Sequence, residues 1–347
     1  MTAKIRIWSS KNMSYAGRAQ LINAVLISIH QYWAQVFILP RVVLTNIESI
    51  CRSFLWSGKW YSHSPGNISW EKVCSSKSTG GLGIKDIQIW NIASLGRYVW
   101  ALATKQDNLW VKWIHAIYLK DSSWTDYYPK PDVSWYWKKI WECKQKLNEK
   151  GLTVDEFHNW QRYLVKKVYL ALKEEKPKVF WHRNVWGRLA LPKHQFYEWL
   201  AVQERLNTKE RLERIGLVRD TDCVLCQEAS ETWSHLFFQC HYSKQILQEI
   251  IQWLGARPTT TNIPLLYRWI NRRIKASKFQ KEVWCAAINA TTYHIWQQRN
   301  NRIWREQSQE WGQVVKQIKA QIIMSLNGCN EKKKISSEKH WIDKLYS

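Results

Sequence analysis

The sequence predicts a mainly α-helical protein, and three observations carry that expectation. Apolar residues recur at helical spacing over long stretches: Leu21, Val25 and Ile29, then Trp33, Val36 and Phe37; Ile246, Leu247, Ile250, Ile251 and Leu254; Trp284, Ile288, Thr291 and Ile295. Proline and glycine stand where such stretches should stop, at Pro40, Gly58, Gly216, Gly255 and Pro258. Between two of the helical patterns lies a compact interval, Cys223 to Cys240, rich in residues that ligate metals.

Residues 14–39 read as one long helix ended by Pro40. Its most apolar part, Leu21 to Leu39, is interrupted by Asn23, His30, Gln31 and Gln35, so it predicts a buried amphipathic helix and not a membrane span. A second helix carries Ile47, Ile50, Phe54 and Leu55 and stops near Gly58; residues 57–69 read as a loop. The cluster Gly80-Gly81-Leu82-Gly83-Ile84 lacks the spacing of a phosphate-cradling loop, and is expected to be a turn that lets a helix start close against its neighbour. Helical patterning returns over 86–119. Residues 120–137 are turn-rich and read as a linker, and 138–175 as a helix or two. A new apolar set begins around Phe180, Trp181, Trp186 and Leu189, is broken by Pro192, and leads through Phe196, Trp199 and Leu200 to a capping-box-like start at Asn207-Thr208-Lys209-Glu210.

The interval that follows reads Cys223-Val-Leu-Cys226, eight residues, His235, four residues, Cys240. Three thiolates and one imidazole are a full tetrahedral set for zinc, and a two-residue gap suits a tight turn aiming both sulfurs at one ion. Ordinary buried thiols and a redox pair are the competing readings; no βαβ pattern surrounds the pair to favour the second. His241 is a substitute for one ligand. Four protein ligands close the shell, so the expected role of the metal is structural.

The formal charge is +24, and it is unevenly spread: +11 over residues 1–150, +4 over 151–205, −2 over 206–255 and +11 over 256–347. Basic flanks around a near-neutral centre point to a polyanionic partner, nucleic acid, more than to solubility alone. Arg299, Arg302 and Arg305 recur every three residues near Trp296 and Trp304, a candidate phosphate-and-stacking surface. The 25 tryptophans against 8 phenylalanines suggest rings at element junctions and in partly exposed grooves. Cys51, Cys74, Cys143, Cys285 and Cys329 are scattered without a disulfide framework, and no signal-peptide core opens the chain, so an intracellular setting is expected. Lys332-Lys333-Lys334 suggests the nucleus, with the cytoplasm as the alternative. There is no Gly-x-Ser-x-Gly, no paired acidic strand motif of a polymerase palm and no convincing carboxylate set, so neither catalysis nor a small-molecule substrate is expected.

Several of these stretches resemble a known family. Ser14 to Asn23, Phe54-Leu55-Trp56-Ser57-Gly58, the glycine cluster and Trp90-Asn91 are similar to the segment following the catalytic core of plant non-LTR (LINE-type) retrotransposon reverse transcriptases. Trp186, Pro192-Lys193, Phe196, Trp199-Leu200, Arg205 to Thr208, Cys223, Cys226, Glu231-Thr232, His235 to Phe238 and Cys240 resemble the zinc-binding domain of those enzymes, and Tyr293 to Trp296 with Arg299-Asn300 the element after it. The resemblance implies a thumb-like helical region over 1–120, a linker with mixed helices over 121–175, a zinc-binding domain over 176–256 and a basic helical region over 257–347. It implies structural zinc on Cys223, Cys226, His235 and Cys240, and adds Arg18 and Lys193 to the candidate nucleic-acid contacts. The family's palm would precede residue 1, so polymerase activity is not carried over. Binding to RNA or an RNA–DNA duplex is the first expectation. A polymerase part served by a catalytic domain in trans and a scaffold for protein partners are the alternatives, with no membrane association.

Overall fold

The computed structural model describes all residues except 10–12, 63–65, 121, 257, 259–261, 273–274, 330–337 and 347. The expected import signal at 332–334 lies outside the described residues. Those residues are mainly α-helical, as the periodicities predict, and form no sheet; one antiparallel bridge joins Asp222 and Ser230.

Helix α1 (Thr2–Ser9) precedes α2 (Tyr15–Leu21), which runs through a wider π-helical turn at Ile22–Leu26 into α3 (Ile27–Ala34). Ser14 caps α2 by accepting the Gly17 amide. Helix α4 (Arg41–Ser57) starts after Pro40 and ends on Gly58, whose φ of +76° closes the last turn. The expected helix over 14–39 forms from Tyr15 and ends at Ala34, short of Pro40, and its buried face differs from the expected one. Ile22, Leu26, His30 and Ala34 are buried, whereas Ile29, Trp33 and Phe37 are exposed. Two adjacent i, i+4 rows are both largely apolar here, and packing against neighbouring helices, not periodicity, selects which one turns inward.

Helix α5 (Trp70–Cys74) leads to the glycine turn. Gly80 takes φ +94°, and a Cβ on Gly81 would lie 2.1 Å from the Ser75 carbonyl oxygen and 2.5 Å from that of Lys72. That contact is why glycine stands there: two stretches of backbone touch. The Gly80 carbonyl accepts the Trp199 indole N–H at 2.8 Å, tying the turn to a helix far along the chain.

Two hydrophobic cores divide the molecule, and they group the chain differently from the four expected segments. One is built from residues between Ile5 and Ile87 together with residues between Trp181 and Leu345; the other from residues between Ala93 and Tyr169. Helix α6 (Ile87–Ala103), capped by Asp86, passes from the first to the second. Around its far half pack α7 (Leu109–Ile114), α8 (Trp135–Asn148), α9 (Val154–His158) and α10 (Val165–Leu172). The turn-rich stretch read as a linker belongs to this core. Trp124 is buried against Trp137, and the buried Lys144 ammonium donates to the carbonyls of Trp124 and Thr125 at 2.6 and 2.7 Å. Turn-forming residues there shape an ordered loop held by a lysine whose three donors need acceptors.

The first core is completed by α11 (His182–Val185), α12 (Pro192–Ala201), α13 (Lys209–Arg214), α14 (His241–Trp253), α15 (Ile263–Arg272), α16 (Lys278–Arg305), α17 (Trp311–Asn327) and α18 (Lys339–Tyr346). Helix α16 is the axis. It packs against α11, α12, α14, α15 and α17 and is buried on nearly every side from Phe279 to Arg299, so it shows no single apolar stripe. Its start is fixed by a capping box between Ser277 and Gln280.

Candidate metal centre

The Cys/His interval is folded by its own backbone before any ligand is considered. Asp222 and Ser230 form the bridge, the Cys223 amide donates to Ala229 at 2.8 Å and the Glu231 amide to Thr221 at 2.6 Å. At the tip, Gln227 takes φ +60° and its amide returns to the Cys223 carbonyl at 2.7 Å. This knuckle presents Cys223 and Cys226 on one side. Thr232 then accepts the His235 amide, setting that residue at the head of a π-helical turn, His235–Gln239. The Cys240 amide returns to His235, and Cys240 serves as the N-cap of α14. A knuckle, a helical turn and a helix N-terminus thus deliver four ligand-type side chains to one place.

The four donor atoms lie within 4.8 Å of one another. Cys223 and Cys240 sulfurs are 3.9 Å apart, and the Cys226 sulfur is 3.2 Å from His235 Nε2. Metal–sulfur bonds of about 2.3 Å and metal–nitrogen bonds of about 2.05 Å at tetrahedral angles place sulfurs about 3.8 Å apart and sulfur and nitrogen about 3.5 Å apart. The observed spacings lie near these, so the residues fit a tetrahedral ion. Cys223, Cys240 and His235 are buried and Cys226 partly so. His241, the alternative ligand, is exposed and outside the cluster.

The local electrostatics favour ligand-competent forms at two positions. A hydrogen bond from the Cys223 thiol holds the Cys240 thiol below its ordinary pKa, helped by the amides of Ser243 and Tyr242 at the α14 N-terminus. The same bond raises Cys223, since its thiol proton is shared toward Cys240. Burial lowers His235, leaving it neutral and able to offer a lone pair.

Behind the cluster stands a residue whose role spacing did not reveal. Glu231 is wholly buried; it accepts the Lys209 amide at 2.9 Å and so caps α13. The expected capping box at Thr208 does not form, since the Thr208 side chain makes no cap bond and Glu210 pairs with Arg214 instead. Glu231 also receives the guanidinium of Arg299.

Comparison with known proteins agrees with this geometry. Residues 163–246 match the family described as zinc-binding in reverse transcriptase. The chain is also 31% identical over 144 residues to an Arabidopsis thaliana protein named "Putative ribonuclease H protein"; the match covers 40% of this chain and spans 23% of the relative's length. The chain therefore carries a reverse-transcriptase-related zinc-binding segment, and the converging Cys and His residues fall within it.

The candidate nucleic-acid contacts are scattered. Arg299 is a correction to the expected basic face: it is 3% exposed and points inward. The three-residue spacing is real, but a carboxylate from the knuckle draws the first member into the interior. Arg302 is partly buried and donates to the Leu225 carbonyl; Arg305 and Trp304 are exposed at the end of α16. An open cleft of about 520 Å³ beside the knuckle is lined by Lys209, Asp220, Asp222, Cys223, Arg302 and Glu306, a mixture too rich in carboxylates to favour a phosphate. Arg18 donates to the Leu55 and Trp56 carbonyls and lies over Tyr15, and Lys193 sits 4.8 Å from the Tyr293 ring centroid. Both are partly buried and serve packing as well as charge.

Proposed function

We propose that this chain is a zinc-stabilised, nucleic-acid-binding derivative of a LINE-type reverse transcriptase, working by binding and not by catalysis. The observation that carries the zinc is the convergence of Cys223, Cys226, His235 and Cys240 to one point inside the matched segment. All four positions are filled by protein, which leaves the ion no open site for a reacting water and makes its role structural. The +24 charge supports a polyanionic partner, RNA or an RNA–DNA duplex. Among the described residues the Cys₃His set is the one cluster of three or more His, Cys, Asp or Glu side chains placed to hold a metal. No helix of the described residues is long and apolar enough to cross a membrane, and the nucleus is the compartment proposed.

A second reading has an observation of its own. Tyr32, Trp33 and Phe37 form a contiguous exposed aromatic row, which favours docking of a protein partner such as a catalytic domain supplied in trans. Metal analysis with salt-dependent binding tests the first reading. About one zinc per chain is expected, with affinity for labelled RNA falling linearly in the logarithm of salt concentration. Metal-free folded protein, or no binding at low salt, would remove it.

A further inference from the structure

From Met1 to Trp70 a single carboxylate, Glu48, stands against seven lysines and arginines. Glu48 is engaged on the flank toward α6, accepting from Gln88 at 3.0 Å. Within this region, α1 docks on the end of α4 through the buried Ile5 and a Trp8–Phe54 contact with centroids 5.8 Å apart. That docking places the Arg6 guanidinium 5.7 Å from the centroid of Trp60. Trp60 in turn neighbours Tyr61, centroids 5.7 Å apart, and the two rings are 40% and 56% exposed. Lys59, next in sequence to Trp60, is exposed as well.

We propose that this end of α4, with α1, is a stacking platform for single-stranded nucleic acid. Trp60 and Tyr61 take unpaired bases, and Arg6 and Lys59 take the adjoining phosphates. The inference rests on the nucleic-acid reading above and names the surface and the strand state. Exposed rings beside cations suit a ligand that has flat apolar faces and a negative backbone. A duplex keeps its base faces stacked inside and cannot use the rings.

The test uses the full chain, fluorescence anisotropy, and labelled 12-nucleotide oligo-U, oligo-dT and a duplex of the same length. Trp60→Ala with Tyr61→Ala should weaken both single strands about tenfold or more and leave the duplex within about twofold. Trp60→Phe with Tyr61→Phe should keep most of the affinity, because the ring faces remain. Trp135→Ala, which removes an exposed ring at the start of α8, should change nothing. Single-strand binding unaltered by the double alanine variant, or lost equally in Trp135→Ala, overturns the platform while leaving nucleic-acid binding intact; failure of the wild-type chain to bind any of the three probes removes both. Should the alanine pair not fold, Arg6→Gln with Lys59→Gln must weaken single-strand binding and flatten its salt dependence, and an unchanged salt slope overturns the proposal.

Discussion

Arg299 on α16 holds both carboxylate oxygens of Glu231 at 2.8–3.2 Å, and neither side chain is more than 4% exposed. This pair joins the metal knuckle to the central helix, and Glu231 caps α13 through the Lys209 amide at the same time. Removing one partner strands a buried charge. Arg299→Ala should cost about 3–5 kcal/mol of unfolding free energy in urea. Arg299→Lys should recover little, because an ammonium cannot reproduce the two-pronged contact. A lysine variant as stable as the wild type would refute this account of the junction.

The Cys₃His set should behave as a fold-determining site. Cys226→Ser, His235→Ala and Cys240→Ser should each reduce bound zinc to well below one equivalent, and chelation of the wild-type protein should have the same effect. Because the ligands come from a knuckle, a helical turn and a helix cap, metal loss should release the amides of residues 207–254 to rapid hydrogen exchange while those of α8 and α10, in the other core, stay protected. Exchange rising equally in both cores would contradict a local structural role.

Glu198 gives the first core a pH dependence. It is fully buried on α12, and burial raises its pKa from 4.5 to about 7. Its Oε1 lies 2.6 Å from the Tyr267 hydroxyl, which is also 2.7 Å from Asn289 Oδ1. One phenol proton cannot serve both acceptors. A protonated Glu198 donating to Tyr267, which donates to Asn289, gives each of these two contacts a proton, and Asn289 passes its own N–H to Val185. The folded state therefore binds a proton that the unfolded chain releases above pH 4.5. The contribution is fully present below that pH, declines as pH rises, and is lost by about pH 7, a change of about 3 kcal/mol. Urea midpoints of Glu198→Gln compared with wild type across pH 4.5–7.5 should show wild type losing ground as pH rises; parallel profiles would show that Glu198 does not titrate in this range.

The metal ligands were legible in sequence because their chemistry is short-range: a two-residue gap and two more donors within 14 positions leave few geometries. Helices were legible where one apolar stripe faces a core, as in α14. What was not legible depended on distant partners. Nothing within Arg299-Asn300-Asn301-Arg302 signals that Arg299 meets a carboxylate 68 residues earlier and turns inward. Likewise Leu21, Val25 and Ile29 and their neighbours Ile22, Leu26 and His30 form parallel rows, and only the packed structure distinguishes inside from outside. The start of α16 could have been found: Ser277 followed by Gln280 is a capping-box signature ahead of an apolar run.

Gly81 offers the sharpest test of how the first core closes. Hydrogen bonds from Gly81 to Ser76 at 2.9 Å, Leu82 to Val73 at 3.1 Å and Gly83 to Ser75 at 2.9 Å pin the turn, while Trp199 reaches it through the Gly80 carbonyl. A methyl group on Gly81 meets carbonyl backbone that these bonds prevent from moving, whereas one on Gly83 meets only the Lys77 side chain, at an ordinary 3.8 Å, and the strain of φ +72°. Gly81→Ala should therefore cost upward of about 3 kcal/mol and Gly83→Ala about 1 kcal/mol. Urea unfolding followed by tryptophan fluorescence separates the two, and a Gly83 variant as damaged as the Gly81 variant would mean that backbone torsion, not the contact between two stretches of chain, governs this turn.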